Sequence, residues 1–341
     1  MTTKRLNLTR DQILAYRRKV SALDDRLPHG THSLRTAAWA GLQDSMPRAA
    51  LLSIHARVDG TGPDAVGDPT LAQIWGPRYS TYAIAREDLA IFTLGRLPDS
   101  GRGRQRAEDM ADRVDAALGK EKLSAVEVGR VLGIHPSSLR YAAPTGRVLI
   151  HWDGARQPTI WTVPQPDVDP SDARLELARR YLHVFGPATA TSFARWAGIK
   201  PPGANSAFAA LGRSLIPVDT PIGDGRILTS DEAEFRSTQE PSTPTRLLPS
   251  GDTFFLLQGD ERELLVPDAA KRDLLWTSRV WPGAVLINGG VTGTWRRSKD
   301  KVTVSPWRRL TRAEQDAVET EAGSMPLPGI SGQVKVHWDH E

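Results

Sequence analysis

The sequence predicts an α+β protein built from tandem winged helix-turn-helix units and a C-terminal β-barrel-like domain. Two observations favour this fold. Helical patterns followed by two β-like runs occur twice, over residues 104–163 and again over residues 170–229, and this is the order of a winged helix. Beyond residue 245, short β-like runs separated by turn signals predominate. The expected parts are a helical region over 1–100, winged helices over 101–165 and 166–240, and a β-rich domain over 241–341.

Length and composition exclude several classes of protein. The chain has 341 residues, which corresponds to about two to three domains. Its hydrophobic fraction of 39% and charged fraction of 25% are typical of a folded globular chain. Cysteine is absent, which excludes disulfides, thiolate metal sites and cysteine nucleophiles. The N-terminus lacks the apolar segment of a secretion signal, and no run of about 18 apolar residues occurs. We expect a cytoplasmic protein without a membrane span.

The first hundred residues have mostly helical patterns. A first helix follows Thr9 or Asp11, either of which suits an N-cap. A second helix is expected near 34–42 and a third over about 46–58. Pro47 would occupy the first turn of that third helix, where its missing N–H costs nothing.

Local signals also mark the two predicted winged helices. Gly119 suits a helix C-cap, and Ser124 with Glu127 forms a capping box. Residues 201–203 are expected to form a turn in the second unit. The elements expected around these signals are helices over 136–143 and 204–211 and strands over 147–152, 159–163, 215–218 and 226–229.

The last hundred residues are expected to be rich in strands. Asn288-Gly289-Gly290 is typical of a hairpin turn, because Asn and Gly accept positive φ angles. Thr311 with Glu314 forms another capping box and begins a final helix. The other elements expected here are strands over 254–257, 264–266, 284–287, 291–295, 302–304 and 333–337 and a helix over about 268–276.

The net positive charge of the chain is small, but the basic residues are concentrated in two segments. The net charge of +4 results from 44 Lys and Arg against 40 Asp and Glu. Residues 1–60 carry a local charge of +5, and residues 295–312 carry +6. Such clusters suit a phosphate-binding surface, since the release of counterions from nucleic acid favours binding. The alternative is a solvated basic face without a partner.

Sequence motifs of common enzyme classes are absent. There is no P-loop, no HExxH, no GxSxG and no GxGxxG after a strand. The histidines lack metal-ligand spacing, so we expect neither a metal nor a cofactor. DNA contact is the remaining function, and the recognition helix and wing of the first unit would present Arg140, Tyr141 and Arg156 to it. A winged helix that contacts other proteins is the alternative.

Short motifs occur in a specific order along the chain. They are Gly41-Leu42-Gln43, Pro47-Arg48-Ala49-Ala50-Leu51-Leu52, Ala56-Arg57-Val58, Trp75-Gly76-Pro77-Arg78, Phe185-Gly186-Pro187-Ala188-Thr189, Phe193-Ala194-Arg195-Trp196, Leu247-Leu248-Pro249, Asp252, Glu263-Leu264-Leu265-Val266-Pro267-Asp268 and Gly293-Thr294-Trp295-Arg296. Together they resemble the winged-helix, crosslink-repair DNA glycosylases of the AlkZ/YcaQ-like family. The resemblance implies tandem winged helices, a β-barrel-like C-terminal domain and action on alkylated bases in duplex DNA.

The resemblance also implies a catalytic motif. Alkylation of a purine at N7 makes the base a cation that leaves readily, so the enzyme must hold a water near the sugar and stabilise the developing charge. The family does this with Gln-hydrophobic-Gln or Gln-hydrophobic-Asp. The matching residues are Gln43, Asp44 and Ser45, which depart from the family at the last two positions. Gln43 would orient the water with Asp44 or Ser45 assisting; alternatively, Asp44 or Ser45 caps the next helix.

Further basic residues are candidates for contact with DNA phosphates. They are Arg48, Arg57, Arg78, Arg296, Arg297, Lys299 and Lys301. For the last four, the alternative is a basic strand edge that deters aggregation. Trp75 is expected in the core, the alternative being a wedge between bases. Asp252 matches the family without an assignable role.

Two hypotheses follow for function. The first is a monofunctional DNA glycosylase for bulky or crosslinked N7-alkylpurines, since no lysine is placed for Schiff-base chemistry. The second is a non-catalytic DNA-binding protein, such as a damage sensor or transcriptional regulator, that keeps the scaffold without the water-holding motif. Both predict double-stranded DNA as the partner, and the absence of a heptad or apolar stripe favours a monomer.

Overall fold

The computed structural model describes residues 5–154, 156–237, 244–329 and 334–339. Within these residues, helices are interspersed with three β-sheets, so the α+β class is confirmed. Their apolar side chains pack into one large core and several smaller clusters. None of the helices in this part of the chain is both long and apolar enough to cross a membrane.

The N-terminal part combines short helices with short strands, whereas the sequence predicts mostly helix. Its elements are β1 (Leu6–Asn7), α1 (Arg10–Val20), α2 (Thr31–Ala37), β2 (Leu42–Gln43), α3 (Ala49–His55), β3 (Leu71–Trp75), β4 (Thr81–Ala85) and α4 (Leu89–Thr93). Strands β3 and β4 form an antiparallel pair. The sequence does not reveal them, because a short, wholly buried run has no periodicity that separates a strand from a helix.

The starts of two helices test the predicted caps. Thr9 caps α1 as predicted, and Gln12 completes a capping box. Helix α3 begins later than predicted, at Ala49, so Pro47 lies outside it and that prediction is wrong. The physical reason is that Arg48 adopts a left-handed φ of +66°, which interrupts a helix immediately before Ala49.

The next part contains helices followed by a β-hairpin. Its elements are α5 (Gly101–Leu118), β5 (Leu123–Ser124), α6 (Ala125–Leu132), β6 (Val148–His151) and β7 (Thr159–Thr162). Gly119 is the C-cap of α5, and Ser124 with Glu127 forms the predicted capping box. Between α6 and β6, Pro136–Thr145 is a 3₁₀ helix rather than the predicted α-helix. Pro144 within it lacks the N–H that an α-helix would use.

A second group of helices and strands follows. Its elements are α7 (Pro170–Phe185), α8 (Ala190–Ala197), α9 (Pro201–Leu211), β8 (Leu215–Thr220), β9 (Gly223–Leu228) and α10 (Glu232–Phe235). Pro201 and Pro202 begin α9 instead of forming the predicted turn. A proline in the first helical turn loses no hydrogen bond, so both fit there.

The C-terminal part is a sheet with flanking helices. Its elements are β10 (Arg246–Leu248), α11 (Glu261–Leu265), α12 (Ala269–Leu275), β11 (Gly283–Ile287), β12 (Gly290–Ser298), β13 (Lys301–Pro306), α13 (Arg312–Gly323) and β14 (Lys335–Trp338). Asn288 and Gly289 have φ of +50° and +74° and join β11 to β12, as the predicted hairpin requires. Thr311 caps α13 in the predicted box with Glu314.

Two predicted strands in this part are wrong. Residues 254–257 overlap the 3₁₀ turn Thr253–Phe255, and residues 264–266 lie at the end of α11. Both runs are apolar because they are buried in the core, not because they extend a sheet. The strand predicted over 333–337 is observed as β14, while Gln333 itself lies outside the described residues.

The sheets join segments that are distant in sequence. Their strand orders are β1-β8-β9, β2-β4-β3-β6-β7-β5 and β10-β11-β12-β13-β14. The six-stranded sheet therefore joins the N-terminal strands to the β6–β7 hairpin. Within the described residues, the edge strands β10 and β14 do not pair with each other, so no closed barrel is present. The predicted barrel-like domain is corrected to an open five-stranded sheet, with β14 added in parallel beside β13.

A buried ion pair ties the N-terminal part to the C-terminal part. Arg57 is 1% exposed and donates from both terminal nitrogens to the two carboxylate oxygens of Asp252, each at 2.7 Å. The hydroxyl of Ser53 and the N–H of Phe254 also donate to that carboxylate. The predicted contact between Arg57 and a DNA phosphate is therefore wrong, because the guanidinium is enclosed and fully engaged. Asp252, which had no assignable role, is its partner.

We expect Arg57→Ala to lower the free energy of unfolding by about 3–5 kcal/mol, because it leaves the Asp252 carboxylate buried without its counter-charge. Urea denaturation followed by circular dichroism measures the change. Arg312→Ala is the control: Arg312 forms an exposed ion pair with Asp316, so the change should stay within about 0.5 kcal/mol. Equal, small effects of both substitutions would contradict a stabilising role for the buried pair.

Candidate functional site

The segment after β2 carries the predicted catalytic residues. Leu42 and Gln43 pair with β4, and because side chains alternate along a strand, Leu42 enters the core while Gln43 faces the other way. Gln43 is half-buried. Its amide nitrogen Nε2 donates to Ser45 Oγ at 3.3 Å, whereas Oε1 is buried and has no hydrogen-bond partner among the described residues. The side chains of Gln43 and Ser45 therefore form one hydrogen-bonded pair.

A loop of the C-terminal part closes against the Gln43 amide. Gly251 has φ of +77°, and a Cβ atom at this position would lie 3.2 Å from Gln43 Oε1. A side chain at position 251 would therefore press on the amide and would also be strained. The close approach fixes the Gln43 side chain between two distant segments of the chain.

Asp44 points into the protein instead of toward solvent. It is 5% exposed, and its carboxylate accepts hydrogen bonds from the Ala50 N–H at 3.0 Å and from Gln73 Nε2 at 2.6 Å. Gln73 Oε1 in turn accepts from the Trp152 N–H at 2.7 Å. Burial raises the pKa of Asp44 to about 6, although the hydrogen bonds from Ala50 and Gln73 oppose this.

The inward position of Asp44 decides between its two predicted roles. The carboxylate binds an N–H in the first turn of α3, which is the capping role. Because the carboxylate is buried and each of its oxygens accepts a hydrogen bond from the protein, its predicted assistance in catalysis is corrected to a role in fixing the segment. Its partner Gln73 is a site residue that sequence reasoning missed. The available signal was a single polar residue within the buried strand β3.

Ser45 is exposed and lies on the wall of a cavity of about 650 Å³. This volume is in the range of small-molecule sites. Side chains from four segments contribute to the wall with Ser45, among them Tyr79, His135, Arg140, Trp152 and Gln157. Trp75 also borders it, but at 8% exposure it belongs to the core, as predicted. The cavity thus brings Ser45 of the candidate motif together with Arg140 of the predicted recognition helix.

The tip of the β6–β7 hairpin leans on the same segment. A Cβ atom at Gly154 would lie 2.9 Å from that of Pro47, so the two backbones are in close contact. Trp152 Nε1 donates to the Arg156 carbonyl at 2.7 Å, and the Arg156 side chain is exposed. The predicted wing residue therefore lies on a hairpin that is fixed against the candidate motif.

Two other predicted DNA-binding residues lie near each other. Arg48 and Arg297 are both half-buried, and neither forms an ion pair with an acidic side chain in the described part of the chain. Burial and the neighbouring charge of Arg48 lower the pKa of Arg297. Two like charges held close together without a counter-ion favour the binding of an anion. The other basic residues of this strand pair, Arg296, Lys299 and Lys301, are exposed.

The remaining predicted residues are Arg78, Tyr141 and Arg140. Arg78 lies against the end of α8, and Tyr141 lies against α5. Arg78 is half-buried with φ of +55° and packs against Gly198. Tyr141 has the Arg106 guanidinium 3.4 Å above its ring centroid, a cation–π contact. Arg140 Nε donates to the Ser137 carbonyl at 2.7 Å. Within the described residues, no group of three or more His, Asp or Glu side chains is arranged to hold a metal ion.

Comparisons with known proteins place the chain in a family. The model of the DNA glycosylase AlkZ-like family matches residues 36–326, which is most of the chain. An interstrand DNA cross-link repair glycosylase from Streptomyces sahachiroi is 31% identical over 161 residues, which are 45% of this chain and 42% of that protein. The matched stretch thus spans less than half of that relative.

A solved structure supports the same assignment at the level of fold. The DNA glycosylase AlkZ of Streptomyces sahachiroi superposes with a TM-score of 0.77 over 98% of this chain and 100% of that chain, at 19% identity. The resemblance carried by the short sequence motifs is confirmed. Because the family model covers far more than half of its length, the chain belongs to the AlkZ-like family of DNA glycosylases.

Proposed function

We propose that the chain is a monofunctional glycosylase that hydrolyses the N-glycosidic bond of N7-alkylpurines in duplex DNA, including bulky and crosslinked adducts. The observation that carries this proposal is that Ser45, to which the Gln43 amide donates, lies on the wall of a cavity large enough for a purine. Gln43 Oε1 is buried without a partner, which is unfavourable unless a donor such as water reaches it.

The chemistry requires little of these two side chains. In an N7-alkylpurine the base carries a positive charge, so the bond from sugar C1′ to N9 breaks with its electron pair going to the base. Water attacks C1′ and its proton passes to solvent, which yields a neutral alkylated base and an abasic sugar. Gln43 Oε1 would accept a hydrogen bond from the water and Ser45 Oγ would orient it. Neither group needs a shifted pKa for this role.

The proposed DNA interface consists of two winged helices and the Arg48–Arg297 pair. The first winged helix comprises α5 to β7 and the second α7 to β9. Arg140 at the cavity and Arg156 on the hairpin tip would contact phosphates next to the damaged nucleotide. Arg48 and Arg297 would bind a phosphate near Gln43, because an anion offsets the repulsion between them. Arg78, Tyr141, Arg296, Lys299 and Lys301 remain proposed contacts.

We further propose a monomer that acts on DNA in the cytoplasm.

One observation favours a second candidate function, a DNA-binding protein without catalysis. Ser45 stands where the family pattern places Gln or Asp, and its hydroxyl has shorter reach and no charge. Asp44 does not compensate for this, since its carboxylate is turned into the protein. The two functions differ in one measurable property, the release of base.

We expect the wild-type protein to release base from a duplex with a single N7-methylguanine faster than the spontaneous reaction. Gln43→Ala should lower the single-turnover rate by about 100-fold, because it removes the group that orients water. Gln315→Ala is the matched control, since Gln315 lies on α13 and does not border this cavity, and it should stay within about threefold. Tight binding without release by the wild-type protein would favour the non-catalytic function.

Arg297→Gln tests the proposed phosphate site. It should lower the slope of log affinity against log salt concentration by about 1 for duplex DNA, because one phosphate contact is lost. Fluorescence anisotropy between low and moderate salt measures this slope. Arg236→Gln serves as the control, since Arg236 forms an exposed ion pair with Glu232 on α10. If the two variants have the same slope as the wild-type protein, Arg297 does not contact a phosphate.

The raised pKa of Asp44 makes stability depend on pH. The pKa of Asp44 is about 6 in the folded protein, above the ordinary 3.8. Between about pH 4 and pH 6, the Asp44 carboxyl is therefore protonated in the folded state and ionised in the unfolded chain. The cost of burying the charge is complete above pH 6 and disappears toward pH 4. Relative to Asp44→Asn, the wild-type protein should therefore gain about 2 kcal/mol of stability between pH 7.5 and 4.5.

Urea unfolding of both proteins at several pH values measures the gain. The comparison with Asp44→Asn cancels the titration of other groups, since these occur in both proteins. A constant difference, or one that moves in the opposite direction, would show that the Asp44 carboxylate is not buried as a charge.

A further inference from the structure

The turn Pro77–Tyr79 between β3 and β4 has a strained backbone. Arg78 and Tyr79 both have positive φ, +55° and +59°. Residues with side chains avoid this region, and for a bulky aromatic residue it is a clear outlier. Hydrogen bonds from Tyr79 N–H to the Gly76 carbonyl and from Gly76 N–H to the Ser80 carbonyl hold the turn. The strain is therefore a fixed feature of this connection.

Neighbouring elements enclose the turn on two sides. A Cβ atom at Gly76 would lie 2.8 Å from the Tyr82 ring, and one at Gly198 would lie 3.0 Å from the Arg78 nitrogen. Tyr82 belongs to β4, and Gly198 follows α8. Strained residues persist where the surroundings determine them in this way, and such residues cluster at functional sites.

The strained turn places the Tyr79 side chain at the junction of two cavities. Tyr79 is half-buried and borders both the cavity beside Ser45 and a second cavity of about 560 Å³. The Arg96 guanidinium lies 5.3 Å from the Tyr79 ring centroid, and the Tyr141 ring meets it edge-on at 5.4 Å. These contacts fix the ring where it can meet a group that enters the first cavity.

The second cavity is positively charged. Arg96 is 5% exposed and donates only to backbone carbonyls, including those of Trp75 and Ala197. Arg102 and Lys200 also border this cavity, and neither forms an ion pair with a described acidic residue. The acidic residue at the cavity, Asp99, is paired with Arg174. A phosphate group is therefore favoured on this side of the Tyr79 ring.

We propose that Tyr79 stacks against a nucleobase of the bound DNA at the cavity beside Ser45, with the DNA backbone passing along the Arg102 and Lys200 side. This inference rests on the proposed function, since it requires a DNA substrate. Aromatic side chains stack on the face of any base, so the contact supplies affinity without base specificity. A purine that carries positive charge is attracted further by the electron-rich ring.

The test compares Tyr79→Phe, Tyr79→Ala and Tyr79→Gly. The probe is a duplex with one N7-methyl-2′-fluoro-deoxyguanosine, whose glycosidic bond resists cleavage, and affinity is measured by fluorescence anisotropy. Tyr79→Phe keeps the ring and should bind within about twofold of the wild-type protein. Tyr79→Ala should bind about tenfold more weakly. Tyr79→Gly should bind as weakly as Tyr79→Ala but unfold at a higher urea concentration, because glycine accepts a φ of +59° without strain.

The Gly and Ala variants separate stacking from a structural role. If Tyr79→Ala lost affinity only through a less stable fold, the more stable Tyr79→Gly would recover affinity, and that result would overturn the proposal. Affinity of Tyr79→Ala within about twofold of the wild-type protein would also overturn it. Base release by the wild-type protein is measured separately on N7-methylguanine. Binding that depends on Tyr79 without any release would contradict the proposed glycosylase function while supporting the stacking contact.

Discussion

The buried carboxylate of Asp44 is the constraint on which the geometry of the site depends. It binds the N–H of Ala50 at the start of α3 and the amide of Gln73 on β3, and Gln73 holds the Trp152 backbone of the β6–β7 hairpin. One charged group therefore fixes three segments around the cavity. Burying it is costly, as its raised pKa indicates. Its hydrogen bonds thus help to hold the strand, the helix and the hairpin in place around Gln43 and Ser45.

The segment from Asp44 to Arg57 is fixed at both ends by buried charge. Asp44 holds its beginning to the six-stranded sheet, and Arg57 holds its end to Asp252, which lies 195 residues away in sequence. Between them, Leu52 packs into the apolar cluster of the five-stranded sheet. A catalytic group must keep its place within a fraction of an ångström, and a segment fixed at both ends meets that requirement better than a free loop.

The sequence predicts those features that neighbouring residues determine. The capping boxes of Ser124 and Thr311 and the hairpin turn at Asn288 are confirmed, because each depends on side chains within three residues. The opposite directions of Gln43 and Asp44 follow the alternation of side chains at β2, a strand that the sequence does not predict. The burial of Arg57, the role of Gln73 and the open C-terminal sheet depend on partners far away along the chain. No local pattern contains that information, so only the structure reveals them.

The chemistry of Gln43 and Ser45 has a consequence for substrate selection. An amide and a neutral hydroxyl orient a water but are too weakly basic to take its proton fully before the attack. In the proposed reaction they would assist only when the leaving base is already a cation, and an undamaged purine is not. In the proposed reaction, the limited strength of this pair would therefore exclude normal nucleotides even when they enter the cavity. Ser45, with less basic character than the Asp of the family pattern, would make this dependence on the charge of the base stricter.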